Sequence, residues 1–217
     1  MNNLNNLDKN NVNEVLDMLL RTRRSIRSFT KEIPSKELVE EIIETGRLAP
    51  YAILAVAKQT DFRHFFVISN NSLQMDKIKT ILVDVIKTQI SNHEIEAKNN
   101  ITLQSFITSL KMQVEKGVLG VGTAPYLIIV AERRGIPAIE QKSLSHVMQN
   151  MWLKSTALGL GFELVSVIGR LSNNKDFCDI LGIPTGEYGF DACTIGFPTT
   201  SVTKEGRAVP HPSIKWI

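Results

Sequence analysis

Apolar residues recur at helical spacing over the first fifty positions. In "NEVLDMLLRTR" (13–23), Val15, Leu16, Leu19 and Leu20 fall on one side of a short helix. "IPSKELVEEIIETGRLAP" (33–50) predicts a clearer one. Ser35 after Pro34 is a candidate N-cap, acidic residues stand early, and Leu38, Val39, Ile42 and Ile43 form the inner face. Gly46 and Pro50 mark its end. The period then changes. "HFFVISN" (64–70) and "YLIIVAE" (126–132), the second introduced by Pro125, are short apolar runs bounded by turn residues, which predicts buried strands. "FDACTIGF" (190–197) predicts a third. Residues 72–119 are mostly helical in pattern with little punctuation. "SLSHVMQNMWLKSTALGLG" (143–161) predicts a long apolar helix closed by two glycines. The first ten residues form a polar tail, and "VTKEGRAVPHPSIKWI" (202–217) is extended and proline-bearing. The chain lacks repeats and linkers, so the expectation is one α+β domain over 1–217: a central mixed, mainly antiparallel sheet covered by helices.

Composition changes this picture little. A chain of 217 residues, 43% hydrophobic and 22% charged, can bury a real core. Net charge is +3, from 25 basic and 22 acidic residues, a small excess for a general nucleic-acid binder. Cys178 and Cys193 have no metal or redox spacing and read as small buried hydrophobes in a reducing, cytoplasmic setting. No apolar run approaches the roughly 20 residues of a membrane span. The four histidines, His64, His93, His146 and His211, stand singly, so no metal site is expected.

One stretch departs from the average. "RTRRSIRSF" (21–29) carries four arginines in seven positions. On its residues alone it is either a solvated basic face at a helix C-terminus, where the dipole favours positive charge, or a grip on a phosphate by guanidinium forks and a serine hydroxyl. Lys204 and Arg207 make a second basic spot near the other end of the chain. "LGLGFE" (158–163) contains Gly159 and Gly161 but lacks the third glycine and the strand–turn–helix context of a dinucleotide fingerprint, and reads as a helix stop with close backbone packing. Trp152 reads as a core aromatic.

Taken in order, "RRSIRSF" (23–29), "GRLAP" (46–50), "QNMWLKSTALGLGFELVSVIG" (149–169) and "LGIPTGEYGFDACTIGFP" (181–198) resemble the nitroreductase-like flavoproteins. The resemblance implies a nitroreductase-like fold, a homodimer, and FMN bound at the subunit interface. It places Arg23, Arg24, Ser25 and Arg27 around the FMN phosphate, closed by Arg207 and Lys204. It sets the backbone of Val167, Ile168 and Gly169 near the reactive N5 edge, and Pro50, Tyr51, Ala52 and Gln59 in the loop that lines the ring. After "AP" the family has a serine, an asparagine and a "QPW"-like element. Here the run is "APYAILAVAKQTDF": Tyr51 replaces the serine, the asparagine is missing, and Gln59 is the candidate glutamine. Tyr51 is a candidate proton donor, with packing against the ring as its other reading.

The activity implied is oxidation of NADH or NADPH and reduction of a small organic acceptor through the flavin, in a ping-pong cycle. A non-catalytic flavin store or sensor, capped by the apolar 51–59 loop, is the rival. A nucleic-acid-binding domain is weaker, because the arginine cluster lacks interleaved aromatics. Neither nucleic acid nor a membrane is an expected partner.

Overall fold

The computed structural model describes residues 9–200 and 213–217. Helix α1 (Lys9–Thr22) starts two residues inside the stretch read as a tail. Helix α2 (Lys36–Arg47) is capped as its sequence requires: the Ser35 hydroxyl accepts from the Leu38 N–H at 3.4 Å. Strand β1 (Arg63–Ser69) follows, then the weakly punctuated region, which resolves into α3 (Leu73–Ala97) and α4 (Ile101–Lys116). The break is Asn100. Its side chain accepts from the Thr102 and Leu103 N–H groups, both at 3.1 Å, and caps α4. Strand β2 (Tyr126–Arg133), α5 (Glu140–Ala157), β3 (Gly161–Leu164), a 3-10 turn (Ser166–Arg170), α6 (Lys175–Leu181) and β4 (Tyr188–Gly196) complete the order.

The four strands form one sheet in the order β1-β2-β4-β3, every pair antiparallel. The parallel component is a single bridge, Ser25 to Phe162 beside β3. Side chains alternate along β2 and β4 and build two cores. Leu127, Ile129, Ala131, Phe190 and Ala192 meet α3 and α6 on one face. Ile128, Val130, Cys193 and Ile195 meet α2 and α5 on the other. A strand covered on both faces reads as a continuous apolar run, which is why β2 and β4 are plain in the sequence.

Strand β3 was not expected. "GLGFE" was read as the end of a helix, but α5 stops at Ala157, Gly159 takes φ +71° to turn the chain, and Gly161 opens the strand. Four residues, the first a glycine, give too short an alternation to declare a strand. Gly161 is required for another reason: a Cβ there would lie 2.7 Å from Ile26 Cγ2.

Asp191 sits on the α2/α5 face of the sheet, with Cys193 two places along. Burial raises the Asp191 carboxyl to about 6, and the Ala192 N–H it accepts at 2.9 Å pulls the other way. The folded chain therefore holds a proton that the unfolded carboxyl, near 3.8, has released. Stability falls as pH rises from about 4 to 6 and stays lower above it. Asp191→Asn keeps an acceptor for Ala192 and removes the charge. We predict that it stabilises the protein by about 1–3 kcal/mol at pH 8 and by nothing near pH 4, in urea unfolding at the two pH values. A variant less stable than wild type at pH 8 contradicts this account.

Candidate functional site

The arginine-rich segment leaves α1 and lies along the edge of β3. The Arg23 N–H closes the helix on Leu19 O at 3.0 Å, and the Ile26 N–H donates to Phe162 O at 2.9 Å. Trp152 of α5 anchors the turn. Its indole N–H donates to Arg24 O at 3.2 Å, its ring stacks on Phe162 at 5.1 Å, and the Arg23 guanidinium lies 4.7 Å from the ring centroid. Trp152 is thus more than a core aromatic: it sets the course of residues 23–25 and holds one of the arginines by cation–π contact. Arg23 Nε is buried without a hydrogen-bond partner among the described residues. Arg24 Nη1 donates to Arg21 O and Arg23 O, at 2.8 and 2.9 Å.

Arg27 points elsewhere. Its Nε meets Glu163 Oε1 at 3.0 Å at the mouth of a cavity of about 430 Å³. The cavity lies between β3 with the 165–167 turn and the α3–α4 hairpin. Polar groups face it from several elements: Arg27, Gln89, Ser109, Glu163 and Arg170. Gln89, turned with its oxygen toward Arg170, accepts from Nη1 and Nη2 at 3.0 and 3.1 Å. Glu163 is buried, and burial raises its pKa, while Arg27 and the Ser25 hydroxyl pull it back. Guanidinium groups, an amide, hydroxyls and one carboxylate in a concave space suit a ligand with both an anionic and a hydroxyl-bearing part. No group of three or more metal-binding side chains occurs among the described residues.

The structure therefore divides the candidates. Arg27 and Val167 line the cavity. Ile168 is buried in the core with its N–H on Val165 O at 3.1 Å, and Gly169 abuts the Phe190 carbonyl. Lys204 and Arg207 lie outside the described residues. Pro50, Tyr51, Ala52 and Gln59 sit beside the start of β1, on the opposite edge of the sheet from β3, roughly 14 Å away at three strand spacings. Tyr51 packs on Phe62, centroids 4.3 Å apart. Val56 is buried, but Ile53 and Leu54 are exposed, 51% and 77%, so the apolar loop is only partly covered by the rest of the chain. Glu163, Arg170 and Gln89 had no part in the sequence reading. An acid inside the apolar "GFELV" was the available signal for Glu163.

The model of the nitroreductase family matches residues 20–197. No curated protein matches the sequence. Among solved structures, an FMN-bound nitroreductase from Bacteroides fragilis is similar with a TM-score of 0.68 and 18% identity, over 94% of this chain and 98% of that one. An FMN-dependent nitroreductase from Clostridium difficile gives 0.67 and 18%, over 94% and 100%. An iodotyrosine deiodinase bound to FMN and 3-iodo-L-tyrosine gives 0.64 and 16%, over 94% and 100%. At these identities the likeness is one of fold.

The 50–59 loop hangs on a buried ion pair. Arg63 Nε donates to Glu132 Oε2 at 2.8 Å, with side chains 5% and 3% exposed. Arg63 Nη1 also reaches Gly46 O and Ala49 O, Nη2 reaches Ser143 Oγ at 2.8 Å, and Ser143 donates to Pro50 O at 3.3 Å. Glu132→Ala strands the guanidinium. We predict a loss of about 3–5 kcal/mol in denaturant unfolding, with faster tryptic cleavage after Lys58. An unchanged midpoint and cleavage rate would show that the pair does not hold the loop.

Proposed function

Because the chain belongs to the nitroreductase family, we propose that it is an FMN-dependent oxidoreductase. It would work as a homodimer of single FMN-binding domains and use NADH or NADPH to reduce a small organic acceptor, donor and acceptor taking turns at one site. The observation that carries this reading is the cavity where Arg27, Glu163 and Val167 converge. Its chemistry fits FMN. Guanidinium groups suit the phosphate and the ring carbonyls, and the buried Glu163 Oε2, without a hydrogen-bond partner among the described residues, suits a donor such as a hydroxyl. When bound, FMN supplies the two-electron chemistry at N5 of its ring.

The chain's own residues bind, orient and shield. Arg23, Arg24 and Ser25 are held on β3 by Ile26 and Trp152, so their approach to a phosphate is set before ligand arrives. Lys204 and Arg207 would close on the same group. Val167 presents the turn to the cavity, with Ile168 and Gly169 fixing that turn against the core. Tyr51, Ala52 and Gln59 lie on the far edge of the sheet, so they would line the ring of a second copy rather than their own. The apolar surface supports that copy. Val12, Val15, Leu16 and Met18 of α1 are exposed, as are Ile53 and Leu54. No helix among the described residues is long and apolar enough to cross a membrane. Both cysteines are free and buried, which suits a reducing cytoplasm.

An apolar loop over the ring offers few groups to stabilise a nitro group as it gains charge. The acceptor range should be narrow.

Two measurements check this. The purified protein should run as a dimer by light scattering, show a flavin spectrum, and lose its yellow band on addition of NADH or NADPH. A colourless monomer that binds no FMN removes the proposal, and a yellow protein inert to both nucleotides favours the store or sensor. The double variant Arg23→Ala/Arg207→Ala should release FMN. In steady state, turnover of nitrofurazone and a simple quinone should be weak although the nucleotides still bleach the flavin. Vigorous turnover of both would show the loop is no barrier.

A further inference from the structure

Glu163 is the one carboxylate on the cavity wall, and it is 10% exposed on a short apolar strand. Its Oε1 holds Arg27, while its Oε2 is buried with no hydrogen-bond partner among the described residues. Its cross-strand neighbour is in the same state. Thr194 pairs with Glu163 across β3 and β4, is fully buried, and leaves its Oγ1 without a hydrogen-bond partner among the described residues. Buried acceptors of this kind are uncommon, because each forfeits the hydrogen bonds it made in water.

Glu163 also divides the basic cluster. A phosphate set beside it would face an anion, and the Nε of Arg27 is already taken. Glu163 is paired with Arg27, follows Phe162, which bridges Ser25, and precedes the 165–167 turn on the same cavity wall. In FMN the part between phosphate and ring is the sugar-alcohol chain, which carries three hydroxyl donors.

We infer that Glu163 accepts a hydrogen bond from a hydroxyl of that polyol chain and, with Arg27, fixes its course through the cavity. This rests on the FMN reading above. It leaves the phosphate to Arg23 and Arg24 with Lys204 and Arg207, and it makes Glu163 a positioning residue for the ring. Ionised, the carboxylate is an acceptor only, so it selects a hydroxyl over a phosphate oxygen. A charge-assisted bond in a buried setting is among the stronger kinds.

The test is a binding cycle on the full chain stripped of flavin, read by quenching of flavin fluorescence. The ligands are FMN and its 2′-, 3′- and 4′-deoxy analogues; the proteins are wild type, Glu163→Ala and Glu163→Gln. Wild type should bind one deoxy analogue about tenfold or more weaker than FMN. Glu163→Ala should bind FMN as weakly as that analogue and no longer distinguish the two. Glu163→Gln, which keeps an acceptor oxygen and the side-chain volume, should discriminate less than wild type, and it carries the comparison if the alanine variant does not fold. Equal weakening of FMN and all three analogues would assign Glu163 to structure or to a buried water, and overturn the inference. Variants that bind FMN as wild type does overturn it as well, with the cofactor reading intact. A wild-type chain that binds no FMN removes both.

Discussion

The double-sided burial of β2 and β4 is the constraint on which the rest depends. Two adjacent strands with apolar residues on both faces must be covered twice, so the chain supplies α3 and α6 for one face and α2 and α5 for the other. The central pair then leaves two edges. One, β1, carries Arg63, which pairs with Glu132 of β2 and holds the chain leading into the loop. The other, β3, carries Glu163 and receives the arginine segment. The separation of loop and cavity follows from strand order alone.

The two edges solve different problems. An exposed strand edge offers unpaired backbone groups to other chains. At β3 the segment from Ser25 covers that edge with a single parallel bridge and one backbone hydrogen bond, and in doing so brings basic side chains to the sheet. Trp152 makes the arrangement rigid, since one indole serves as hydrogen-bond donor, stacking partner and cation–π platform. The cover is local: Arg23 stays at the tryptophan while Arg27 turns toward the cavity, so neighbouring arginines in sequence have separate surroundings.

Much of this was legible beforehand, and for physical reasons. Strong periodicity marked α2, α5 and the three long strands, and Ser35 marked a cap that the structure makes. Likeness to a family pattern singled out the arginine cluster and the 165–169 turn, of which Arg27 and Val167 line the cavity. What was missed lay where local sequence is weak evidence. Strand β3 is four residues long and owes its existence to pairing with β4, not to propensity. Glu163, Gln89 and Arg170 meet only because the sheet and the α3–α4 hairpin close on each other, and no spacing in the chain encodes that. The distance of the 50–59 loop from the cavity was equally hidden, because a resemblance gives residue roles without giving the strand order that separates them.

The seam at β3 has a consequence for synthesis. Trp152 and Arg24 are 128 residues apart in the chain, and Thr199 bonds Ser28 across 171. The arginine segment is therefore made early and has nothing to lie on until the last strands have left the ribosome, a wait of roughly ten seconds or more at common elongation rates. Throughout that interval a cationic peptide trails from an incomplete sheet. The seam at the candidate site thus forms only after β4 has been made, and any truncation before β4 abolishes it however much of the N-terminal helical layer has already formed.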